Sequence, residues 1–285
     1  MRWCGAAAPP PRAGSEPNPM SYLETPDGAH LRYSERGEGP ETVVLVHGWK
    51  GSHRMWDPAV MRLAGEFRVI AFDNRGMGES DRPTGRYDFD LLADDLAAVL
   101  AQLDARDVTL VGWSMGCSIS LQYLARGGDR AARLVLVNGP IRLESDDDFE
   151  WGLPSGQLGA YVDDLVAGWP GSEREFARGA VRDPDDPYAD LYYRVALQTE
   201  LVDSIRIVRE QARLDHRRVL RGLRLPVLAI YGRHDPYYEE GLARYIADAV
   251  PDGRYLMFEE SAHPVHFDEP DRFREVIAEF ARGRL

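Results

Sequence analysis

Apolar and polar residues alternate along the chain with two different periods, which predicts strands and helices in regular succession. Thr42–Val46 and Val108–Val111 are short, uninterrupted apolar runs, as expected for strands buried on both faces of a parallel sheet. Between them, Phe89–Leu103 carries apolar residues at helical spacing along one face. Six further strands are predicted, at Ser21–Thr25, His30–Glu35, Phe67–Phe72, Arg133–Val137, Pro226–Tyr231 and Tyr255–Phe258. This alternation predicts an α/β fold with a mostly parallel eight-stranded sheet and helices on both faces.

The alternation breaks after Asn138-Gly139-Pro140 and resumes only near residue 223. The intervening stretch has no strong strand pattern, and its longest candidate helix runs from Ala189 to about Leu214. Residues 1–20 are rich in Ala, Pro and Gly and lack the apolar stretch of a signal peptide. The predicted organisation is therefore a disordered leader at 1–20, a core at 21–139 and 223–285, and an inserted helical cap at 140–222.

Composition narrows the classes of partner. The 285 residues carry a net charge of −13 with a pI near 5.0, which argues against nucleic acid or an anionic membrane surface as a partner. Cys4 and Cys117 form no disulfide framework and no metal-ligand spacing, and no run is long enough to span a membrane. We therefore expect a cytoplasmic protein without a metal or cofactor that acts on a small, apolar molecule. A homodimer is compatible with this sequence.

The run Gly112-Trp113-Ser114-Met115-Gly116 separates a predicted strand from a predicted helix. It matches the G-x-S-x-G pattern, in which a serine occupies a sharp and strained strand-to-helix turn. The glycines leave room for the strained backbone, and the N-terminus of the following helix directs free N–H groups towards the serine. Ser114 is the predicted nucleophile.

A serine hydroxyl needs a neutral imidazole to accept its proton and a carboxylate to orient that imidazole. Ligands of open α/β sheets bind beyond the carboxyl ends of the strands, so both groups should follow strands. Asp235 follows the strand Pro226–Tyr231, and His263 follows Tyr255–Phe258. The position after Val137 offers Asn138 instead of a carboxylate. Asp235 and His263 are therefore the predicted acid and base.

The predicted oxyanion hole pairs two backbone N–H groups. One belongs to Met115, directly after the nucleophile, and the other to Trp49 in the loop His47-Gly48-Trp49 after an early strand. Aromatic residues in the cap suggest an apolar or aromatic ligand. The predicted substrate contacts are His53, Trp113, Trp151 and Trp169.

Together these segments resemble the α/β-hydrolase fold superfamily. The resemblance rests on His47-Gly48-Trp49, on the loop from Asp73 to Ser80, on Gly112–Gly116, on Gly232–Asp235 and on Ala262-His263, which span most of the chain outside the leader and the cap. The order Ser114, Asp235, His263 is the order of that family. The general pattern is similar to capped carboxylesterases, lactonases, perhydrolases and carbon–carbon bond hydrolases. Dehalogenases and epoxide hydrolases of this fold have an aspartate where this chain has Ser114, which argues against both.

The predicted function is that of a serine hydrolase that cleaves an ester or lactone of a small apolar substrate through an acyl-enzyme. Three alternatives remain open at the level of sequence. A carbon–carbon bond hydrolase would use the same triad, and a cofactor-free oxygenase or cyclase would use the His263–Asp235 pair as its base. A ligand receptor that has kept the triad would bind its ligand and hydrolyse it slowly.

Overall fold

The computed structural model describes residues 21–285, so the predicted leader and Cys4 lie outside the described residues. Within this range one sheet of eight strands forms, in the order β1-β2-β4-β3-β5-β6-β7-β8. The strands are β1 Ser21–Glu24, β2 His30–Arg36, β3 Thr42–Val46, β4 Arg68–Phe72, β5 Val108–Trp113, β6 Ala131–Val137, β7 Val227–Gly232 and β8 Gly253–Phe258. The pairs β1–β2 and β2–β4 are antiparallel and the other pairs are parallel. The predicted mostly parallel eight-stranded sheet is confirmed.

The central strand β3 shows why its sequence is apolar without interruption. It pairs with β4 on one side and β5 on the other, and Val43–Val46 are completely buried. Successive side chains of a strand point to opposite faces. Accordingly Val44 and Val46 pack into the apolar cluster on one face, and Val43 and Leu45 pack into the cluster on the other. A strand that is covered on both faces has no solvent-exposed position for a polar side chain, so its sequence is apolar throughout.

Helices cover both faces of the sheet in residues 21–285. They are α1 Asp57–Leu63, α2 Phe89–Gln102, α3 Met115–Ala125, α4 Gln157–Gly168, α5 Gly171–Gly179, α6 Pro187–Ala196, α7 Leu201–Gln211, α8 Arg217–Gly222, α9 Glu240–Ala249, α10 Val265–Asp268 and α11 Pro270–Ala281. Apolar side chains of α2, α3 and α9 pack on one face of the sheet, and those of α1 and α11 pack on the other. None of the helices in the described range combines the length and hydropathy needed to span a bilayer.

Helices α4 to α8, called the insert below, all lie between β6 and β7, where the sequence predicts a cap. The predicted single helix from Ala189 to about Leu214 is wrong, because α6 ends at Ala196 and α7 begins at Leu201. The two helices bury their apolar residues in different clusters. Val195 of α6 belongs to the apolar cluster that also contains side chains of α1 and α11, whereas Ile207 of α7 belongs to the cluster that contains those of α2 and α3. One straight helix has a single apolar face and could not reach both clusters.

The buried histidine His266 makes stability sensitive to acid. Its ring packs 4.2 Å from the ring of Trp56 and 5.0 Å from that of Trp113, and its Nε2 donates to the Met55 carbonyl at 3.1 Å. Burial lowers the pKa of His266 to about 3. The unfolded chain, with an ordinary histidine pKa of 6.5, therefore binds a proton that the folded chain does not bind between about pH 6.5 and 3. Stability is lost as the pH falls through that window.

We expect His266→Phe to weaken this acid sensitivity. Between pH 6.5 and 4.5 the wild type should lose about 2–3 kcal/mol more of its free energy of unfolding than the variant, since each unit of pKa difference is about 1.4 kcal/mol. Urea unfolding at both pH values measures this difference. Phe273→Leu is the control, because Phe273 contacts the same ring and does not titrate. Parallel losses in the wild type and His266→Phe would contradict the expectation.

Candidate active site

Ser114 lies at the turn between β5 and α3, with backbone angles φ 55° and ψ −122°. A residue other than glycine rarely adopts a positive φ, so the surrounding structure must hold this strained conformation. Two glycines provide the space. A Cβ atom on Gly116 would clash with the Val46 carbonyl oxygen, and one on Gly48 would lie 2.9 Å from the Ser114 Cβ. The loop after β3 and the turn after β5 can therefore approach each other closely.

His263 and Asp235 form a buried pair. The His263 Nδ1 lies 3.0 Å from the Asp235 Oδ2, and the exposed fractions of the two side chains are 2% and 0%. The other carboxylate oxygen accepts the backbone N–H of Tyr237 at 2.8 Å. Because a carboxylate only accepts hydrogen bonds, Nδ1 must carry the proton, and this leaves Nε2 as an acceptor. The carboxylate thus fixes the imidazole tautomer that a general base requires.

The loop that carries His263 is tied to the strand ends. Asn138, directly after β6, donates from Nδ2 to the carbonyls of Ala262 at 2.9 Å and His263 at 2.7 Å, and its Oδ1 accepts the Gly232 N–H at 2.9 Å. The Trp113 indole also donates to the His263 carbonyl, at 3.0 Å. The residue that follows β6 therefore has a structural task here and holds His263 in place from its backbone side.

A cavity of about 240 Å³ joins these elements. Ser114 and His263 both lie on its wall, together with Met115 and Trp49. Leu143, Leu153, Leu158 and Val208 supply aliphatic wall, and Tyr161, Phe176, Tyr237 and Tyr238 supply aromatic wall. Within residues 21–285 no hydrogen bond joins the Ser114 hydroxyl to the His263 ring. In proteins without bound substrate such catalytic contacts are often longer than in the reacting complex.

Backbone N–H groups with no acceptor border this cavity. Met115 is the first residue of α3, where the N–H has no partner inside its own helix. The hydrogen bonds of residues 21–285 assign no acceptor to the Trp49 N–H either. The loop of Trp49 is held by His47, whose Nε2 accepts the Asn74 N–H at 2.9 Å and whose Nδ1 lies 2.8 Å from the Gly48 carbonyl oxygen. The arrangement offers two N–H groups beside Ser114.

The four predicted substrate contacts lie elsewhere in the described structure. Trp113 is completely buried, and His53 is paired with Asp73, its Nδ1 2.7 Å from the carboxylate. Trp151 lines a separate surface groove, and Trp169 is half exposed. None of the four belongs to the described lining of the cavity.

Several lining residues were not singled out by the sequence analysis. Tyr237 and Tyr238 follow the predicted acid by two and three positions, and their rings lie 4.9 and 6.3 Å from that of His263. Their place on the loop of Asp235 was the available signal. Tyr161 and Phe176 are two of the insert's aromatic residues that the sequence analysis related as a group to an apolar or aromatic ligand. Nothing in the sequence distinguishes an aromatic residue that faces a cavity from one that packs.

The comparisons with known proteins identify the fold family of the chain. A model of the alpha/beta hydrolase fold matches residues 41–270. The non-heme chloroperoxidase CPO-A1 of Kitasatospora aureofaciens is 27% identical over 92% of this chain and 99% of its own length. A pimeloyl-[acyl-carrier protein] methyl ester esterase of Neisseria meningitidis is 27% identical over 89% of this chain and 99% of its own length.

A solved structure extends the similarity to three dimensions. The esterase of Exiguobacterium antarcticum superposes with a TM-score of 0.87 at 25% identity, and the match covers 92% of this chain and 99% of that protein. The similarity therefore covers the insert as well as the sheet.

Proposed function

The chain belongs to the alpha/beta hydrolase fold family, and we propose that it is a serine hydrolase that cleaves an ester or lactone of a small apolar substrate. One observation carries the proposal. The strained Ser114 and His263, whose ring is paired with the buried Asp235, lie on the wall of one apolar cavity, together with Met115 and Trp49, whose N–H groups have no acceptor in the described part of the chain. The esterases among its relatives support the same reaction class.

The proposed reaction is acyl transfer to water. The Ser114 hydroxyl gives its proton to Nε2 of His263 while its oxygen attacks the ester carbonyl, and the N–H groups of Met115 and Trp49 hold the resulting oxyanion. His263 then returns the proton to the leaving alkoxide, and Asp235 stabilises the imidazolium between these steps. In the second half, His263 takes a proton from water, the hydroxide attacks the acyl-enzyme, and Ser114 recovers its proton.

The size and lining of the cavity define the proposed substrate. At about 240 Å³ it falls below the roughly 300–1,000 Å³ of pockets for drug-sized ligands, so it suits a small ester. Aliphatic and aromatic side chains dominate the wall, and burial raises the pKa of the Tyr161 and Tyr237 phenols, which stay neutral donors. We propose an ester with a short aliphatic or aromatic acyl group, whose ester oxygens can accept from these phenols.

The test is covalent labelling with a fluorophosphonate, which reacts with an activated serine. We expect the intact mass to increase by one adduct and peptide mapping to place that adduct on Ser114. Labelling should be absent in Ser114→Ala and in His263→Ala. If a folded wild-type protein accepts a small phosphonate into the cavity and yet remains unlabelled, the acyl-enzyme mechanism fails. Base-only chemistry by His263 and Asp235 would then be examined.

A further inference from the structure

Lys50 is the only lysine of the sequence, against 33 arginines among the 34 basic residues. It lies directly after Trp49, which lines the cavity and whose N–H has no acceptor within residues 21–285, and it is completely buried. Its backbone has φ 53°, a conformation that costs an L residue free energy and persists only when its surroundings enforce it. The proposed reaction assigns no task to this buried and strained cation.

The contacts of Lys50 lead from the loop of Trp49 to the insert. Its ammonium group is ion-paired with Glu173 of α5, and the exposed fractions of the two side chains are 1% and 3%. The same nitrogen lies 3.8 Å from the centroid of the Trp49 ring and 4.4 Å from that of Phe176 in α5. These two rings meet edge to face at 5.4 Å, and both line the cavity. The ion pair therefore lies directly behind the aromatic wall.

The site fits a lysine better than an arginine. A compact ammonium with three donors can satisfy itself with one carboxylate and two ring faces, whereas the five donors of a guanidinium would need further acceptors. Stability alone is a weak reason for such a pair, because the cost of desolvating two charges can exceed their attraction. In some proteins such a pair supplies a fixed register between the two segments that it joins.

We propose that Lys50 and Glu173 are a positioning pair, which seats α5 on the loop of residues 47–50 and so aims the Trp49 N–H at the oxyanion. This inference rests on the proposed function and names the groups that keep its oxyanion hole in place. A second contact joins the insert to the same loop, since the Tyr192 hydroxyl of α6 donates to the Trp49 carbonyl at 3.3 Å. Loss of the ion pair should therefore loosen the loop without unfolding it.

Above pH 8 the loss of the Lys50 proton should have opposite effects on the stability of the fold and on the position of the loop. Burial lowers the pKa of Lys50 to about 8, while Glu173 opposes that shift. The ionisable groups that influence Glu173 from α4 and α6 are the phenols of Tyr161 and Tyr192, whose pKa values burial raises, so both stay neutral. Above pH 8 the folded chain loses the Lys50 proton, whereas the unfolded chain keeps it up to its ordinary pKa of 10.5. Between about pH 8 and 10.5 the contribution of Lys50 to the free energy of unfolding therefore rises with pH, although its ion pair with Glu173 is lost over the same range.

The experiment compares Lys50→Met, Glu173→Gln and the double variant with the wild type. Each single variant leaves a buried group without its partner, so the double variant is the decisive protein. We measure kcat and KM for 4-nitrophenyl acetate from pH 6 to 10, together with hydrogen exchange of the peptide covering residues 47–52. Asp95→Asn is the control, since it removes one charge from a buried ion pair with Arg75, 2.6 Å long, outside the cavity.

In the double variant kcat should fall about tenfold or more, since loss of one oxyanion donor costs about 10²–10³ in kcat. KM should change less than about threefold, because the contacts of the bound ester remain. The 47–52 peptide of the double variant should exchange faster than that of the wild type. In the wild type kcat should fall above pH 8, where Lys50 loses its proton, and the double variant should not show this fall. Asp95→Asn should lower stability and change none of these.

A double variant with wild-type kcat and wild-type exchange would overturn the proposal and leave the pair a purely structural contact. If the wild type neither hydrolyses esters nor reacts with a fluorophosphonate, the proposed function fails. The exchange of residues 47–52 then still decides whether Lys50 and Glu173 hold the loop.

Discussion

Ser114→Ala is expected to lower kcat/KM for a 4-nitrophenyl ester by on the order of 10⁵-fold, because the nucleophile of an acyl-enzyme mechanism has no substitute. The residual rate should come from the two N–H groups at Met115 and Trp49, which still stabilise the oxyanion when water attacks directly. The fold should survive, since the Ser114 backbone N–H keeps its 2.9 Å hydrogen bond to Val137. Steady-state kinetics and circular dichroism of the purified variant test both parts.

The matched control is Ser120→Ala, in the same helix. Ser120 is buried, and its hydroxyl donates to the Gly116 carbonyl at 2.8 Å within α3. That change should alter stability slightly and kcat/KM little. If Ser114→Ala kept more than about a tenth of the wild-type rate, the loss would be far too small for a nucleophile. The data would then favour the base-only alternative, in which His263 and Asp235 act without a covalent intermediate.

The fold could be predicted from the sequence wherever burial on both faces or on one face leaves a regular pattern. Thr42–Val46 was predicted with the bounds that the structure shows. The insert was less predictable, because helical spacing continues across residues 197–200 although α6 and α7 pack into different clusters. A periodic pattern records that a face is buried, and it does not record which neighbour buries it.

The candidate site shows the same division. Ser114, Asp235 and His263 could be proposed because each follows a strand, and the carboxyl ends of parallel strands meet at one edge of the sheet. The residues of the cavity wall could not be predicted from the sequence, because Tyr161 and Phe176 reach the wall through the tertiary packing of the insert. Lys50 was visible as the only lysine, but its meaning depends on Glu173, 123 positions away. Contacts of that separation leave no local pattern.

Asp235→Asn is expected to lower kcat by about 10⁴-fold, through the imidazole tautomer and not through the fold. The Asn oxygen can still accept the Tyr237 N–H, now bound at 2.8 Å, so the loop should keep its shape. Its amide group can instead donate to Nδ1 of His263, which moves the ring proton to Nε2. An Nε2–H ring cannot accept the Ser114 proton. Kinetics on a 4-nitrophenyl ester, with urea unfolding beside it, measures the two effects separately.

Glu259→Gln is the control for this variant. Glu259 follows β8 four residues before His263, and its exposed carboxylate binds Arg233 at 2.9 Å, so it has the charge of Asp235 without its contact to the ring. Its kcat should stay near that of the wild type. A large loss in Asp235→Asn with unchanged unfolding would show that orientation of His263 limits the rate. A loss of less than about tenfold would mean that another group fixes the tautomer. The hydrogen bonds that Asn138 and Trp113 donate to the His263 carbonyl would then be the contacts to alter next, since they hold this residue by its backbone.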